Sequence, residues 1–348
     1  MENGMTTIAQ TVKAVRKKPL QFLGSTNHNG VVNMVRYLLE DLPAADLPQL
    51  TVDIAFYPGN RVHLTFSNLQ HGPLAAIFQA NGPSGNDQAG QAPGILLALN
   101  TDVKISVHTA NATGVLYGGQ GAYALSDSAA QLPLHTGTVE FTLDPEVFGP
   151  LEISYGFFNL FLQQFAYLNP GVTIISTDHR AVYQHNVFHY PRGIAEQVDA
   201  YVSGYNAPIL RLDLHTRIDG HEYQVSLCFL FNARSKPKPQ VRSFAGSEET
   251  PGGGSHLDGA LKGFRMALKE IAGQDKEKRK IKISRKKVAA NLSGIVAIKG
   301  PALHFAGSSI MELDMPAVKK QLQHYVFMQT VDYLHNHPDI TAQLLQLL

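Results

Sequence analysis

Apolar residues recur at helical spacing through 31–40, where Val31, Val32, Met34, Val35, Leu38 and Leu39 fall on one stripe, so this segment predicts a core helix. Pro43 and Pro48 end it. Alternation then switches to period two. Strands are predicted over Leu50–Phe56 and Arg61–Phe66, joined by the hairpin signal Tyr57-Pro58-Gly59-Asn60. Residues 80–94 are rich in Gly, Pro, Asn and Gln and predict a flexible loop with the character of a lid. Strand-like alternation returns at Val103–His108 and Thr138–Leu143. Between them, Gly114–Gly121 predicts a glycine-rich turn before a short helix. Phe148–Leu168 reads as one long helix and Val172–Ser176 as a strand.

The pattern changes near Pro191-Arg192-Gly193. Beyond it come a helix at Ile194–Val202 and a hairpin, Leu210–Thr216 with Tyr223–Phe231, turning at Asp219-Gly220. A helix over Leu257–Ile271, a basic segment, a strand at Gly294–Lys299 and two C-terminal helices follow. Strands interleaved with helices in both halves predict two α/β sandwich domains, 1–192 and 193–348. A chain of 348 residues, 44% hydrophobic, supplies a core for each.

Composition narrows the function classes. A formal net charge of +1 gives no global bias towards nucleic acid or membrane. A single cysteine, Cys228, sits in an apolar run and excludes an intrachain disulfide framework, which fits a cytoplasmic protein. The start lacks a signal-peptide pattern, and no apolar run has the length of a membrane span. The histidines lack ligand spacing or partnering acids, so no metal site is expected.

Short motifs carry more specific information. Val15-Arg16-Lys17-Lys18-Pro19-Leu20-Gln21-Phe22-Leu23-Gly24 resembles the V-R-K-R-P-x-M-Y-I-G opening of the B subunits of gyrase and topoisomerase IV. Phe165-Ala166-Tyr167-Leu168-Asn169-Pro170-Gly171, Thr177-Asp178-His179-Arg180, Phe188-His189-Tyr190 and Gly253-Gly254-Ser255-His256-Leu257-Asp258-Gly259 resemble later motifs of the same family, in the same order. The resemblance implies a Bergerat-fold ATPase domain followed by a ribosomal S5-like transducer domain. The metal-binding TOPRIM domain that follows in the family is not expected in this chain.

The same resemblance predicts a dismantled ATP site. The family places a general-base Glu and a magnesium-binding Asn one helical turn apart, and that register holds Tyr37 and Asp41 here. Tyr37 has no ionised oxygen at neutral pH. Glu40 is rotated away from that line on the helix. The adenine-binding Asp falls on Phe66, followed by Ser67, and two family glycines become Asn68 and Gln70. Gly118, Gly119 and Gly121 are candidates for a residual phosphate site, although a turn needing positive φ explains them as well. Thr138 follows Gly137 as in the family's adenine-floor G-T. The transducer's Gln and Lys that reach the γ-phosphate fall on Ser308 and Ile310.

Together these substitutions predict an inactive ATPase-and-transducer paralogue that needs no cofactor and serves as an interaction or regulatory module, as a homodimer or with a protein partner. Two alternatives stay open. One is a diverged ATPase using ATP and magnesium. The other is a DNA-binding clamp accessory acting through the basic segment, with Lys278, Arg279, Lys280, Lys282, Arg285, Lys286 and Lys287 on phosphates.

Overall fold

A computed structural model describes residues 8–40, 42, 49–69, 91–110, 112–126, 132–202, 209–231, 240–274, 282–307 and 311–346. The chain divides into two compact units, Met1–Gly193 and Ile194–Leu348.

Unit 1 opens with helices α1 (Ile8–Lys17), α2 (Pro19–Leu23) and α3 (His28–Glu40). The apolar stripe of α3 is buried as its spacing requires. Gly24, at φ 72°, ends α2, and only a residue without Cβ takes that left-handed conformation cheaply. Strands β1 (Thr51–Tyr57) and β2 (Arg61–Ser67) pair as the predicted hairpin. Helix α4 (Ala92–Leu99) follows, and then strands β3 (Asn100–His108), β4 (Thr113–Gly119), β5 (Ala122–Ser126) and β6 (Thr136–Leu143). Helices α5 (Pro145–Phe148) and α6 (Tyr155–Leu168) lead to β7 (Thr173–Asp178) and β8 (Gln184–His189). Among the described residues these eight strands form one sheet in the order β5-β4-β3-β6-β2-β1-β7-β8. Val52, Ile54, Leu64, Phe66, Ile105, Val139 and Phe141 alternate onto one face and build a single core with α3, α4 and α6.

The structure corrects three local expectations. Residues 114–121 are not a turn before a helix: β4 runs into β5 through Gln120 and Gly121, both at positive φ, a hairpin geometry that suits the twist of its strands. The segment read as a lid loop ends in helix, because Ala92, Pro93 and Gly94 begin α4; residues 80–90 lie outside the described residues. The long helix expected at 148–168 is broken: Gly149 at φ 62° stops α5, and Ser154 caps a fresh start by accepting from the Phe157 amide at 3.4 Å. Strand β8 has no counterpart among the expected elements, because Gln184–His189 is mostly polar and exposed at the sheet edge.

Unit 2 contains α7 (Ile194–Val202), β9 (Ile209–Ile218), β10 (His221–Phe231), β11 (Val241–Ala245), β12 (Glu248–Glu249), β13 (Gly253–Gly254), α8 (Ser255–Gln274), α9 (Arg285–Asn291), β14 (Leu292–Lys299), β15 (Glu312–Leu313), α10 (Pro316–Asn336) and α11 (Pro338–Gln346). Its main sheet has the order β12-β11-β14-β10-β9. Val225, Leu227, Phe229 and Phe231 project to the core formed with α8 and α10. Cys228 faces the other side and is buried, which pushes its thiol up to about 11 and makes it unreactive near neutral pH.

Candidate functional site

The opening motif is tied down by its arginine. Arg16 donates to the Ala98 carbonyl at 2.8 Å and reaches the Asp144 carboxylate at 3.2 Å. Asp144 is wholly buried and also caps α5 by accepting from the Glu146 amide at 3.0 Å. The Arg16–Asp144 pair therefore holds the ends of α1 and α4 and the start of α5 together. Asp144→Ala is expected to lower unit 1 stability by about 1–2 kcal/mol, read as a thermal melt, because the cap and the arginine both lose their acceptor.

Tyr37 lies on α3, and its hydroxyl donates to the Phe22 carbonyl at 2.9 Å. Burial raises its pKa above the ordinary phenol value, with the Arg36 cation opposing and the Glu40 charge reinforcing that shift. The hydroxyl is thus a neutral donor engaged with backbone of the opening motif. Arg36 beside it is buried, with its guanidinium carbon 5.7 Å from the Phe161 ring centroid. Glu40 is exposed on the last residue of α3. Asp41 lies outside the described residues.

Phe66, on the core face of β2, is completely buried beneath the helices. Its neighbours in the sheet are Val52 and Gly137. Ser67, next along the strand, turns to the opposite face. So does Thr138, which pairs with Thr65 and Ser106. The structure therefore does not bring Thr138 to the side occupied by Phe66; from β6 that side is met by Gly137. The period of two explains why a one-residue difference in register separates them.

The glycines of the β4–β5 hairpin have structural explanations. A Cβ on Gly118 would lie 2.1 Å from the Ala122 carbonyl oxygen, and one on Gly119 would lie 2.1 Å from that of Thr101. The Gln120 amide donates to the Asn100 carbonyl at 2.7 Å, and the Gly121 amide to that of Leu97 at 2.9 Å. These two amides point at protein carbonyls, which leaves them unavailable for cradling an anion.

The later motifs are braces. Asp178 accepts from the Arg180 Nε at 2.8 Å and its terminal nitrogen at 2.7 Å; that hydrogen-bonded pairing holds the Asp178 carboxyl below its ordinary range. Asn169 closes α6 by donating to the Phe165 carbonyl at 2.7 Å. In unit 2, Gly254 at φ 119° packs against Leu313 backbone, and the Ser255 hydroxyl accepts from the Met315 amide at 2.8 Å. His256 follows with no exposed surface and no hydrogen-bond partner for either ring nitrogen among the described residues. As a sequence motif this segment is a family marker, and nothing in its spacing signals that it buries an imidazole.

Of the basic residues, Lys278, Arg279 and Lys280 lie outside the described residues, as do Ser308 and Ile310. Lys282, ahead of α9, and Arg285, Lys286 and Lys287, in its first turn, are exposed, and Ser284 caps the helix by accepting from the Lys287 amide at 3.2 Å. Arg285 is paired with Asp258 at 2.9 Å, a carboxylate it shares with Lys319.

Comparison with known proteins agrees with this architecture. A sequence model of the family described as DNA gyrase B matches residues 193–348. The B subunit of the type 2 topoisomerase of Aquifex aeolicus is 28% identical over 210 residues, 60% of this chain and 26% of that protein. The DNA gyrase B subunit of Campylobacter jejuni is 24% identical over 361 residues, 95% of this chain and 46% of that protein. The chain thus spans half or less of the length of these relatives. Among solved structures, the gyrase B-subunit of Myxococcus xanthus superposes with a TM-score of 0.75 at 20% identity, covering 96% of this chain and 98% of that one. The 43K ATPase domain of Thermus thermophilus gyrase B, in complex with an aminocoumarin, gives 0.77 at 18% identity, covering 98% and 94%. The mixed α/β fold, with one large sheet in each unit, is that of these gyrase B structures.

Proposed function

From a chain that is a relative of the gyrase and topoisomerase B subunits, with their ATPase-and-transducer fold, we infer a module that keeps the architecture without hydrolysing ATP. The observation that carries this reading is Phe66. Its ring fills the core at the position matching the family's adenine-binding aspartate, and it offers no acceptor for an exocyclic amine. Tyr37 supports it from the adjoining helix. A hydroxyl that donates to Phe22 and has a raised pKa does not take a proton from water at neutral pH. Losing the base removes a contribution of about 3–5 kcal/mol to lowering the barrier, and losing the adenine acceptor about 1–3 kcal/mol of binding.

The protein then acts by binding, as an interaction or regulatory module in DNA topology, as a homodimer or with a protein partner. Titration calorimetry with ATP and magnesium tests the reading: no saturable binding is expected in the micromolar range, and a micromolar Kd overturns it.

The exposed lysines on and just ahead of α9 favour a DNA contact within the same reading. Lys282, Lys286 and Lys287 are the proposed phosphate ligands, and Arg285 is paired with Asp258 at 2.9 Å. The double variant Lys286→Glu, Lys287→Glu is expected to weaken duplex retention uniformly across sequences and to reduce the slope of log K against log salt by about 2. An unchanged slope in filter binding removes α9 from the interface.

A further inference from the structure

Two turns at one end of the unit 1 sheet carry an aromatic ladder on the surface. Tyr57 closes β1 and Arg61 opens β2, directly across the hairpin. The Arg61 guanidinium carbon lies 4.8 Å from the Tyr57 ring centroid. The His179 ring stacks on Tyr57 with centroids 5.0 Å apart and planes 9° from parallel. Tyr183 then meets His179 edge-on at 5.8 Å. Tyr183 is 66% exposed and Val182 beside it 69%. Arg61 and His179 are exposed as well.

Exposed rings of this kind are usually mobile, but here both turns are braced. Asn60 donates to the Leu151 carbonyl and accepts from the Ile153 amide. Arg180 holds Asp178 and donates to the Ile153 carbonyl at 2.6 Å. The His179 amide donates to the Phe56 carbonyl at 2.9 Å. The ladder is therefore set on one rigid frame, which reduces the entropy a ligand must overcome in ordering it. None of these contacts belongs to the ATP-site positions or to α9.

We propose that the Arg61–Tyr57–His179–Tyr183 ladder is a binding platform for single-stranded nucleic acid, with an unpaired base stacking on the exposed Tyr183 ring at its end and the Arg61 guanidinium on backbone phosphate. Rings accept any base by its face, and a neighbouring arginine adds both charge and a stacking plane. A duplex hides its base faces, so the platform selects unpaired strands. Two carboxylates adjoin the brace, the buried Asp178 paired with Arg180 and the exposed Glu152 at 3.8 Å from it, and both draw on the Arg180 charge and not on Arg61.

The test uses the full chain and a fluorescein-labelled oligothymidylate of about 12 nucleotides, a length that spans one such platform, followed by anisotropy. Saturable binding is expected. Tyr183→Ala is expected to weaken it roughly fivefold or more, the lower end of the stacking range, while Tyr183→Phe keeps it. An abasic strand of the same length, with the same phosphates, is expected to bind more weakly by a similar factor. Tyr183 makes no core contact, so the alanine variant folds, which an unchanged melting temperature checks. No binding of the oligothymidylate, equal binding by Tyr183→Ala, or equal binding by the abasic strand overturns the proposal. Equal binding that disappears in the α9 lysine variant places the strand on unit 2 instead and overturns it too.

Discussion

Gly263→Ala is expected to destabilise unit 2 by roughly 2–3 kcal/mol, although alanine is the better helix former by about 1 kcal/mol. Helices α8 and α10 lie against each other through Gly259 and Gly263, spaced one turn apart on α8. A Cβ on Gly263 would sit 2.4 Å from the Gln323 carbonyl oxygen, and one on Gly259 would sit 2.6 Å from that of Lys319. Both obstacles are backbone, so no side chain can swing aside, and the helices must separate. Separation loosens Phe264, Leu268, Leu322 and Val326 together. Gly273, near the exposed end of the same helix, meets nothing within 4 Å and is the internal control. Gly273→Ala is expected to be neutral or to stabilise by up to about 1 kcal/mol. Denaturant melts of the two variants check the pair; equal effects would mean that close backbone approach does not govern this helix pair.

His256 predicts the second large effect, a loss of unit 2 stability in mild acid. Burial holds its imidazole down to about 4, with the Asp258 carboxylate opposing only in part. In the unfolded chain the group titrates near 6.5. The unfolded state therefore binds the proton more readily, and stability rises with pH across this window. The contribution is fully present above about pH 6.5 and is lost as pH falls towards 4. The separation of the two pKa values corresponds to about 3 kcal/mol at 1.36 kcal/mol per unit. His256→Phe, which removes both the charge and the unpartnered nitrogens, is expected to flatten the pH dependence. Melts of wild type and variant at pH 7 and pH 4 read the difference. A variant that loses stability in parallel with wild type assigns the acid sensitivity to other groups.

The two domains are legible in the sequence because their signals are local. Apolar stripes and turn residues mark α3, the β1–β2 hairpin and β9–β10 directly. Strand β8 is hidden because Gln184–His189 sits at an edge and buries little. Helix α4 is hidden for the opposite reason: Ala92–Leu99 is buried all round, so it has no polar face to set a period. The Gly114–Gly121 stretch misleads because glycine serves a close strand approach and a phosphate loop equally well.

The candidate site is legible to a different degree. Tyr37 and Phe66 are read as site positions from the registers of a helix and a hairpin, and in the structure both are packed into protein. Thr138 does not follow, since facing in a strand reverses with one residue of slip. The roles of Arg16 with Asp144 and of Asn60 with Ile153 join residues far apart in the chain. No spacing rule finds such pairs.

The central claim, an ATPase architecture without ATP chemistry, is tested most directly by phosphate release from the full chain with saturating ATP and magnesium. Glu40→Ala is measured alongside, because Glu40 is the exposed carboxylate on α3. The account predicts no release above the no-protein background and no difference between the two proteins. Turnover by wild type that Glu40→Ala abolishes would contradict it.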